Sequence, residues 1–405
     1  MPRRAQRRAL VIGGSMSGLL AALMLRRNGW QVDVFERAEG GLAGRGAGIV
    51  AQPEMIARLA SLGLDTHDTG VSISARKIFD REGRLVASGV CPQVLTAWER
   101  VYHILRGAFP DAHFHPGRAF KLVEHDDSGV VARFSDGGTE RADLLIGADG
   151  LRSTVRQQFL TSVAPLYAGY VAWRALVSES ALPPQIHGDL FDALAFCLPP
   201  GEQFLGYPVA GPDDDLRPAY RRYNIVWYRP ADPARELTWL LTDESGVVHS
   251  ISIPPPLIRR EAIAAMRAAA ERLLAPQFCA IVRLIKEPLL QPIYDLETAQ
   301  LSFGRVAIIG DAAFVARPHV AAGLSKAADD AASLAAALEA DDVAGALRRF
   351  EAERLPEGRK IVERARHLGS YLQATQSAEE QERSVRHSIP QAVLAETAVL
   401  DFLRR

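Results

Sequence analysis

The sequence predicts an α/β fold with a second, mostly β-sheet part and helices toward its C-terminus, and three observations lead to this prediction. Residues 9–36 form a βαβ unit, in which an apolar strand, a glycine-rich turn, a helix and a second strand follow one another. Short apolar runs of the buried parallel type recur at residues 144–146 and 306–309. Between them, residues 166–256 are rich in Tyr, Trp, Pro and Gly and lack helical periodicity. We therefore expect a discontinuous parallel-sheet domain combined with a sheet-based one.

The first unit can be predicted element by element. Residues 9–12 are the first strand, and residues 13–18 are the turn after it. The helix covers residues 19–27, because this stretch has an apolar face and Asn28-Gly29 is a common helix stop. Residues 31–36 alternate in hydrophobicity and form the second strand.

Later elements follow from turn residues and from periodicity. A hairpin is predicted at residues 76–86, with Glu82-Gly83 at its turn. Residues 130–134 and 141–146 are predicted to pair around Asp136-Gly137-Gly138. Helical patterns predict four further helices, at residues 261–274, 323–340, 344–350 and 357–375.

These elements divide the chain into three regions. The expected ranges are residues 1–75, 96–165 and 290–345 for the parallel-sheet domain, 76–95 and 166–289 for the sheet-based domain, and 346–405 for a C-terminal helical region. Residues 376–405 are polar and then helical, and we expect them to form a peripheral appendage.

The bulk composition limits the classes of function. The chain has 405 residues and a net charge of −1, with 48% hydrophobic and 23% charged residues. This balance predicts neither a nucleic-acid partner nor a disordered chain. Cys91, Cys197 and Cys279 lie far apart without a CxxC motif, which argues against a metal site or a disulfide framework and favours a reducing cytoplasm.

The first residues superficially resemble a signal peptide, because Arg3, Arg4, Arg7 and Arg8 precede an apolar run. Glycines interrupt that run at the positions of a nucleotide-binding turn, so we do not expect export. The rest of the sequence contains no stretch of about 20 apolar residues, and no membrane span is expected.

The turn Gly13-Gly14-Ser15-Met16-Ser17-Gly18 is a variant of the G-x-G-x-x-G motif, with Ser15 at the second glycine position. In this motif the first glycine makes the tight turn, the second lets the backbone approach a pyrophosphate, and the third lets helix and strand pack closely. The following helix offers unpaired N–H groups to the anion, and Glu36 can accept hydrogen bonds from a ribose. The pattern predicts a Rossmann-like dinucleotide site formed by Gly13, Ser15, Met16, Ser17, Gly18, Glu36 and Arg37.

Two later segments place an aspartate just after a predicted strand. Asp149-Gly150 follows one strand, and Gly310-Asp311 follows the other, at the edge where ligands bind in open α/β sheets. A helix beginning near Gly323 would point N–H groups at a ligand beside the second aspartate. Taken singly, Asp149 could be a helix N-cap, and Arg156 could be a surface charge.

Together these segments resemble the fingerprints of the group A FAD-dependent aromatic monooxygenases, which share a p-hydroxybenzoate hydroxylase-like fold. The resemblance rests on the spacing of Asp149, Gly150, Ser153 and Arg156 and on Gly310-Asp311-Ala312-Ala313. It implies that the parallel-sheet domain binds FAD, that the second aspartate binds the ribityl chain and that loop amides cup the flavin. No second glycine-rich turn for nicotinamide is present in the sequence, as in that family. The resemblance adds to the FAD site Arg45, Asp149, Asp311, Ala322, Gly323, Leu324 and Ser325.

Within this family the chain resembles most the 2,6-dihydroxypyridine 3-hydroxylase branch. The similar segments are Ala316-Arg317-Pro318-His319, Arg222-Tyr223-Asn224 and Gly46-Ala47-Gly48-Ile49-Val50. Phe314 stands where many family members have His, and Trp98 stands near the position of a flavin-contacting Arg. Both departures fit the dihydroxypyridine branch.

The resemblance implies NAD(P)H- and O2-dependent hydroxylation of a small hydroxylated N-heteroaromatic ring through a flavin C4a-hydroperoxide. NADH or NADPH and O2 are then co-substrates. The same chemistry on a hydroxypyridine with a side chain, or on a phenol, stays open. A non-catalytic flavoprotein that binds a ligand or serves as an assembly partner is an alternative of another class. The C-terminal helices could support a homodimer.

Four residues form the expected substrate site. His319 is the first candidate for an acid/base or hydrogen-bonding group, because it lies on the loop beside the flavin and imidazole titrates near neutral pH. Tyr207 is the second candidate, because the sheet-based domain should face the flavin. Val50 and Pro318 complete the expected substrate contacts. A structural histidine that stabilises the loop is the open alternative for His319.

Overall fold

The structure is a computed structural model and describes residues 7–40, 42 and 48–404. Its strands are β1 (Arg8–Ile12), β2 (Gln31–Glu36), β3 (Gly48–Ala51), β4 (Val71–Phe79), β5 (Leu85–Ala97), β6 (Phe114–Pro116), β7 (Phe120–His125), β8 (Val130–Phe134), β9 (Thr139–Ala142), β10 (Leu144–Gly147), β11 (Leu166–Ser178), β12 (Ala193–Cys197), β13 (Gln203–Val209), β14 (Arg222–Pro230), β15 (Leu289–Asp295), β16 (Ser302–Phe303) and β17 (Val306–Ile308).

The α-helices are α1 (Met16–Arg27), α2 (Pro53–Ser61), α3 (Trp98–Ala108), α4 (Thr154–Phe159), α5 (Pro184–Leu190), α6 (Thr238–Leu240), α7 (Arg260–Leu273), α8 (Pro276–Leu284), α9 (Gly323–Ala340), α10 (Val343–Leu368), α11 (Ala378–His387) and α12 (Pro390–Glu396). Among the described residues, no helix has the length and apolar character needed to cross a bilayer.

The first sheet has the strand order β16-β17-β10-β1-β2-β6 and is parallel except at β16. Its central strands come from distant parts of the chain, since Leu10 of β1 is paired with Leu145 of β10, which is itself paired with Val306 of β17. These side chains are fully buried, as expected for a parallel sheet that is covered on both faces. The sheet therefore brings the ends of β1, β2, β10 and β17 to one edge.

The second sheet has the order β15-β11-β14-β13-β12-β4-β5-β3 and is largely antiparallel. Alternation along its strands gives it two buried faces. One face, which includes Trp173 and Trp227, packs on α7 and α8. The other carries Tyr170, Tyr207 and Tyr228 and faces the loop of His319. The domain ranges remain a prediction. β4 extends across the predicted limit between residues 75 and 76.

Most of the predicted elements are confirmed. The βαβ unit is present, α9 has the predicted bounds, and the hairpin of β4 and β5 turns around Glu82-Gly83. The second predicted hairpin is only partly correct. β8 pairs with β9, which ends at Ala142, whereas β10 starts at Leu144 and belongs to the parallel sheet. Asp143 separates the two strands, and its carboxylate accepts a hydrogen bond from the backbone N–H of Arg8 at 2.8 Å.

The prediction of two helices at residues 344–350 and 357–375 is wrong, because α10 is a single helix that contains Pro356. A proline inside a helix removes one hydrogen bond and costs about 3 kcal/mol. Phe350 and Ile361 lie on either side of it and are buried, and burial of each stabilises the helix by about 1.5–3 kcal/mol. Tertiary packing thus offsets the local cost. α5 also interrupts the stretch that was expected to contain only strands.

The C-terminal segment is not a peripheral appendage, so that prediction is wrong as well. The backbone N–H of Ala398 donates to the carbonyl of His319 at 2.7 Å. The buried guanidinium of Arg76 donates to the carbonyl of Leu394 at 2.6 Å. Val393 is buried against the tyrosine-bearing face of the second sheet. A few apolar residues and buried backbone hydrogen bonds therefore hold this polar segment over the loop of His319.

Candidate active site

A cavity of about 550 Å³ lies at the edge where β1, β2, β10 and β17 end. This is the edge at which open α/β sheets bind ligands. Its walls are formed by strand ends and by the first turns of α1 and α9. The lining residues are Ile12, Gly13, Ser15, Met16, Ser17, Phe35, Glu36, Arg37, Leu42, Ile49, Trp98, Arg118, Ala119, Phe120, Ala148, Asp149, Gly150, Thr154, Asp311, Gly323, Leu324 and Ala327.

The first turn brings the start of α1 close to the cavity. Gly13 has φ +112°, and a Cβ there would overlap the carbonyl oxygen of Ala148. A Cβ at Gly18 would overlap the carbonyl of Gly13, so turn and helix pack without space for a side chain. Ser15 makes no side-chain capping hydrogen bond, and α1 begins at Met16 in the cavity wall. This arrangement suits a phosphate at a helix N-terminus.

Glu36 is held as an acceptor at the end of β2. Its two carboxylate oxygens accept hydrogen bonds from the backbone N–H groups of Gly14 and Ala38, each at 2.9 Å. The residue is buried but lines the cavity. Each oxygen has a further lone pair, so the carboxylate can also accept hydrogen bonds from the two hydroxyls of a ribose.

The two carboxylate oxygens of Asp149 differ in their hydrogen bonding. Oδ2 accepts hydrogen bonds from the backbone N–H groups of Thr154 and Val155 at 2.7 and 3.2 Å, which caps α4. Oδ1 is buried and has no hydrogen-bond partner among the described residues. Burial raises the pKa of this carboxyl. The N-cap alternative thus explains one oxygen, and the other is an orphaned acceptor that a ligand hydroxyl in the cavity would satisfy.

Arg156 is fully buried, so the surface-charge alternative is wrong. Its guanidinium donates to the carbonyl of Leu151 at 2.6 Å and to the carbonyl of Ala312 at 3.0 Å. Burial lowers the pKa of Arg156, and the nearby charge of Asp149 opposes this effect. One side chain thereby ties the loop after β10 to the turn after β17.

Asp311 is the acidic residue of that second turn. Its side chain is 55% exposed and lines the cavity. Desolvation by the surrounding protein raises the pKa of its carboxyl. The turn is fixed from behind, because the backbone N–H of Gly310 donates to Oδ2 of Asp330 at 3.0 Å. The carboxylate thus faces the cavity from a rigid turn.

His319 lies on the tyrosine-bearing face of the second sheet and is only 3% exposed. Its Nε2 is 2.8 Å from the hydroxyl of Tyr170, and the edge of its ring packs on Tyr228 at 4.6 Å between centroids. Burial, helped by the charge of Arg317, lowers its pKa to about 3. The expectation that this histidine titrates near neutral pH is therefore wrong, and its imidazole is neutral at pH 7.

Strand β3 connects the cavity with this sheet face. Ile49 lines the cavity, while Val50 packs in the same apolar cluster as Tyr207. Gly48, at the start of the strand, donates its backbone N–H to Oδ1 of Asn224 at 2.9 Å. Burial raises the pKa of Tyr207 to about 12, so its phenol is a neutral donor.

The structure brings most of the expected cofactor residues together. Those that line the cavity are Gly13, Ser15, Met16, Ser17, Glu36, Arg37, Asp149, Asp311, Gly323 and Leu324. Gly18 supports the turn without lining it, and Ala322 and Ser325 line a smaller cavity on the other side of α9. Arg45 lies outside the described residues. The expected substrate residues Val50, Tyr207, Pro318 and His319 do not line the large cavity either.

Arg118 lines the cavity and was missed in the sequence, whereas Trp98, which also lines it, was noted there near the position of a flavin-contacting Arg. Arg118 reaches the cavity because its backbone N–H donates to the carbonyl of Glu36 at 2.9 Å, beside the pairing of β2 with β6. Trp98 starts α3 and stacks on Tyr102 at 5.1 Å. Arg174, which does not line the cavity, was also missed. Its Nη2 donates to the carbonyl of Gly48 at 3.2 Å, and its Nε has no partner among the described residues. No local motif marks Arg118 or Arg174, because each depends on contact between distant segments.

Comparison with known proteins agrees with this geometry. A family profile described as an FAD binding domain matches residues 6–189 and 292–365, and one described as FAD binding domain-like matches residues 167–295. The 2,6-dihydroxypyridine 3-monooxygenase of Paenarthrobacter nicotinovorans is 33% identical over 373 residues, which cover 90% of this chain and 91% of that enzyme. The 6-hydroxynicotinate 3-monooxygenase of Pseudomonas fluorescens is 27% identical, with coverage of 91% and 92%.

A solved structure shows the same fold. The 2,6-dihydroxypyridine-3-hydroxylase from Arthrobacter nicotinovorans superimposes with a TM-score of 0.86 at 32% identity, and the match covers 92% of this chain and 94% of that one. The orphaned oxygen of Asp149, the oriented carboxylate of Glu36 and the close glycine turn all fit the hydroxyls and pyrophosphate of FAD. The chain therefore belongs to the group A FAD-dependent aromatic monooxygenases.

Proposed function

We propose that this protein uses NADH or NADPH and O2 to hydroxylate a small hydroxylated N-heteroaromatic ring of the 2,6-dihydroxypyridine type. The observation that carries the proposal is the similarity to 2,6-dihydroxypyridine 3-monooxygenase, which extends over 90% of the chain rather than over the FAD site alone. Similarity that includes the second sheet also covers the part expected to contact the substrate. When bound, FAD supplies the chemistry that accepts a hydride from NAD(P)H and activates O2.

We propose that the ring binds between the flavin and the tyrosine-bearing sheet face, in contact with Val50, Tyr207, Pro318 and His319. The geometry supports this position because β3 has Ile49 in the cavity wall and Val50 in the cluster that contains Tyr207. The carbonyl of His319 is held by the C-terminal segment, and the side chain is held by Tyr170. Both contacts hold the loop in place, and a fixed loop would help to keep water from the ring.

The polar groups on this face suit a ring that reacts as an anion. A hydroxypyridine is electron-rich enough for hydroxylation when a ring hydroxyl has lost its proton. The guanidinium of Arg174 is close enough to oppose the rise in the pKa of Tyr207 that burial causes. It would stabilise a negatively charged ring oxygen in the same way. Tyr207 would donate a hydrogen bond to that oxygen, and the neutral His319 would orient the ring rather than exchange protons with it.

A hydroxypyridine with a carboxylate side chain is the second candidate substrate class. The relative named 6-hydroxynicotinate 3-monooxygenase matches almost the whole chain. Arg174 also offers a cation that a carboxylate could pair with. We further propose that the protein acts in the cytoplasm, where NAD(P)H is available and the free Cys91, Cys197 and Cys279 stay reduced, and that it forms a homodimer, which light scattering would test.

The test is a panel of dihydroxypyridines, carboxylated hydroxypyridines and phenols. For each compound, stimulated NADH and NADPH oxidation is measured, and the product is analysed by mass spectrometry for the gain of one oxygen atom. We expect strong, coupled turnover with 2,6-dihydroxypyridine. Coupled turnover with the carboxylated ring alone would favour the second candidate. Stimulation by none of the compounds would contradict the proposal and favour a ligand-binding flavoprotein.

The role of His319 is tested in the same assay. His319→Ala should bind FAD normally but lose part of the coupling between NADH oxidation and product formation, because the loop beside the ring is no longer anchored to Tyr170. Unchanged coupling would leave His319 as a structural residue of the loop.

A further inference from the structure

A second, smaller cavity lies directly behind the start of α9, on the side away from the large cavity. Its volume is about 160 Å³. Its lining includes Ser325, Lys326 and Arg354. Two buried polar atoms in its wall, Oγ of Ser325 and Nζ of Lys326, have no hydrogen-bond partner among the described residues. A buried ammonium without a hydrogen bond is costly and requires an explanation.

The position of Lys326 suggests that explanation. Its side chain is 1% exposed, and Nζ lies between two carboxylates, 4.0 Å from Oδ1 of Asp311 and 3.9 Å from Oδ2 of Asp330. Asp330 already has strong partners, because it accepts hydrogen bonds from Nε of Arg354 at 2.8 Å and from the backbone N–H of Gly310 at 3.0 Å. Among the described residues Asp311 has no such partner, and the ammonium of Lys326 is a positive charge close to it.

We propose that Lys326 is a positioning residue for the cofactor: its ammonium keeps Asp311 ionised, so that this carboxylate accepts hydrogen bonds from hydroxyl groups of bound FAD. The inference rests on FAD occupying the large cavity, which Asp311 lines. Lys326 itself touches no part of that cavity. It acts from behind the wall, through the carboxylate.

The charges around Lys326 and Asp311 determine how far the pKa of Asp311 rises when the ammonium is removed. Burial and the neighbouring Asp330 raise the pKa of Asp311, whereas Lys326 lowers it. Among the described residues that line the smaller cavity with Lys326, the acidic ones are Glu54 on α2, Asp329 on α9 and Glu357 on α10, and Arg354 is a second cation. Arg58 pairs with Asp329, and Lys360 pairs with Glu357. Because these pairs balance Asp329 and Glu357, removal of the ammonium leaves Asp311 with the two effects that raise its pKa, burial and Asp330. Charges 4 Å apart in a protein can shift a pKa by about two to three units.

The experiment measures the affinity of the apoprotein for FAD, from the quenching of flavin fluorescence, between pH 6 and pH 8.5. In the parent protein we expect the Kd to change less than twofold over this range. In Lys326→Met we expect it to be about tenfold higher at pH 6 than at pH 8.5, because Asp311 takes up a proton as the pH falls. Lys326→Arg should keep the parent profile, since it keeps the charge.

Asp311→Asn provides the decisive comparison. This variant should bind FAD weakly and without pH dependence, and adding Lys326→Met to it should cause little further change. A Lys326→Met protein that is weaker by one constant factor at all pH values would overturn the proposal, since that result indicates damaged packing. The proposal would also be overturned if the factors by which Lys326→Met and Asp311→Asn raise the Kd for FAD simply multiplied in the double variant. Lys326→Gln replaces Lys326→Met if circular dichroism shows that the latter is unfolded, and the same outcomes then apply.

Discussion

The hydroxyl of Tyr170 lies 2.8 Å from Nε2 of His319, and both side chains are almost completely buried. The pair joins the second sheet to the loop that follows the second aspartate turn. Because the imidazole is neutral, neither partner in this buried hydrogen bond is charged. A contact of this kind fixes the loop, and it also makes the loop sensitive to acid.

Acid should weaken the folded protein partly through His319. Its pKa is about 3 in the folded state and near 6.5 when exposed, so the unfolded chain binds more protons below pH 6.5. The contribution to stability is complete above that pH and is lost as the pH falls toward 3. Between pH 7.5 and pH 5 it should amount to about 2 kcal/mol. Urea unfolding of the parent protein and of His319→Gln at both pH values tests this, and an equal pH dependence in the two proteins would contradict it.

Asp149→Ala should weaken FAD binding more than it weakens the fold. It removes the orphaned acceptor Oδ1 and the cap on α4. Loss of one charge-assisted hydrogen bond should raise the Kd for FAD about 10- to 100-fold. Asp126→Ala is the matched control, because Asp126 accepts similar hydrogen bonds from the backbone of Ser128 and Gly129 and does not line the cavity. A similar loss of affinity in both variants would show that turn stability alone is responsible.

Gly13→Ala should destabilise the protein and lower its FAD content together. The new methyl group would overlap the carbonyl of Ala148, in a residue whose φ is already in the left-handed region. Gly63→Ala separates the two effects, since Gly63 has φ +75° but open space where the added Cβ would lie. The control should lose roughly 1 kcal/mol, whereas Gly13→Ala should lose more than twice as much. Thermal unfolding and the flavin absorbance of the purified proteins provide the comparison, and equal losses would remove the close-approach argument.

Arg174→Gln should raise the KM for the ring substrate about tenfold, because a charge that stabilises a ring anion is lost. The effect on kcat should be smaller. Arg229→Gln is the control on the same sheet, since Arg229 pairs with Glu202 and lies over Trp227 on the opposite face. Steady-state kinetics with the substrate found in the panel would decide. If both variants change KM equally, the effect comes from the sheet and not from a contact with the ring.

The expected FAD residues were found in the sequence where a strand end and its turn are adjacent along the chain. Gly13, Glu36, Asp149 and Asp311 each follow or end a strand of the first sheet, so a short segment carries both the element and its ligand. Such positions are determined locally, by the turn geometry and the burial of the strand before it.

The rest of the site depends on register between distant segments. Arg118 and Trp98 reach the cavity only through pairings that join residues far apart in sequence, and Arg174 meets Gly48 across 126 positions. The unbroken helix through Pro356 is a related case, because tertiary burial outweighs the local preference. His319 differs again: its position on the loop was correct, but its ionisation depends on burial that no single segment reveals.

The distant origin of the strands in the first sheet has a kinetic consequence. The sheet around β1 is complete only after β10 and β17 have joined it. These strands lie more than 130 and almost 300 positions further along the chain. Contacts of this span close slowly and late in folding. The large cavity is lined by residues at the ends of these strands, so FAD binding should stabilise the completed sheet. Unfolding of the sheet should therefore release the flavin, which makes flavin fluorescence a reporter of the global unfolding of the FAD-bound protein.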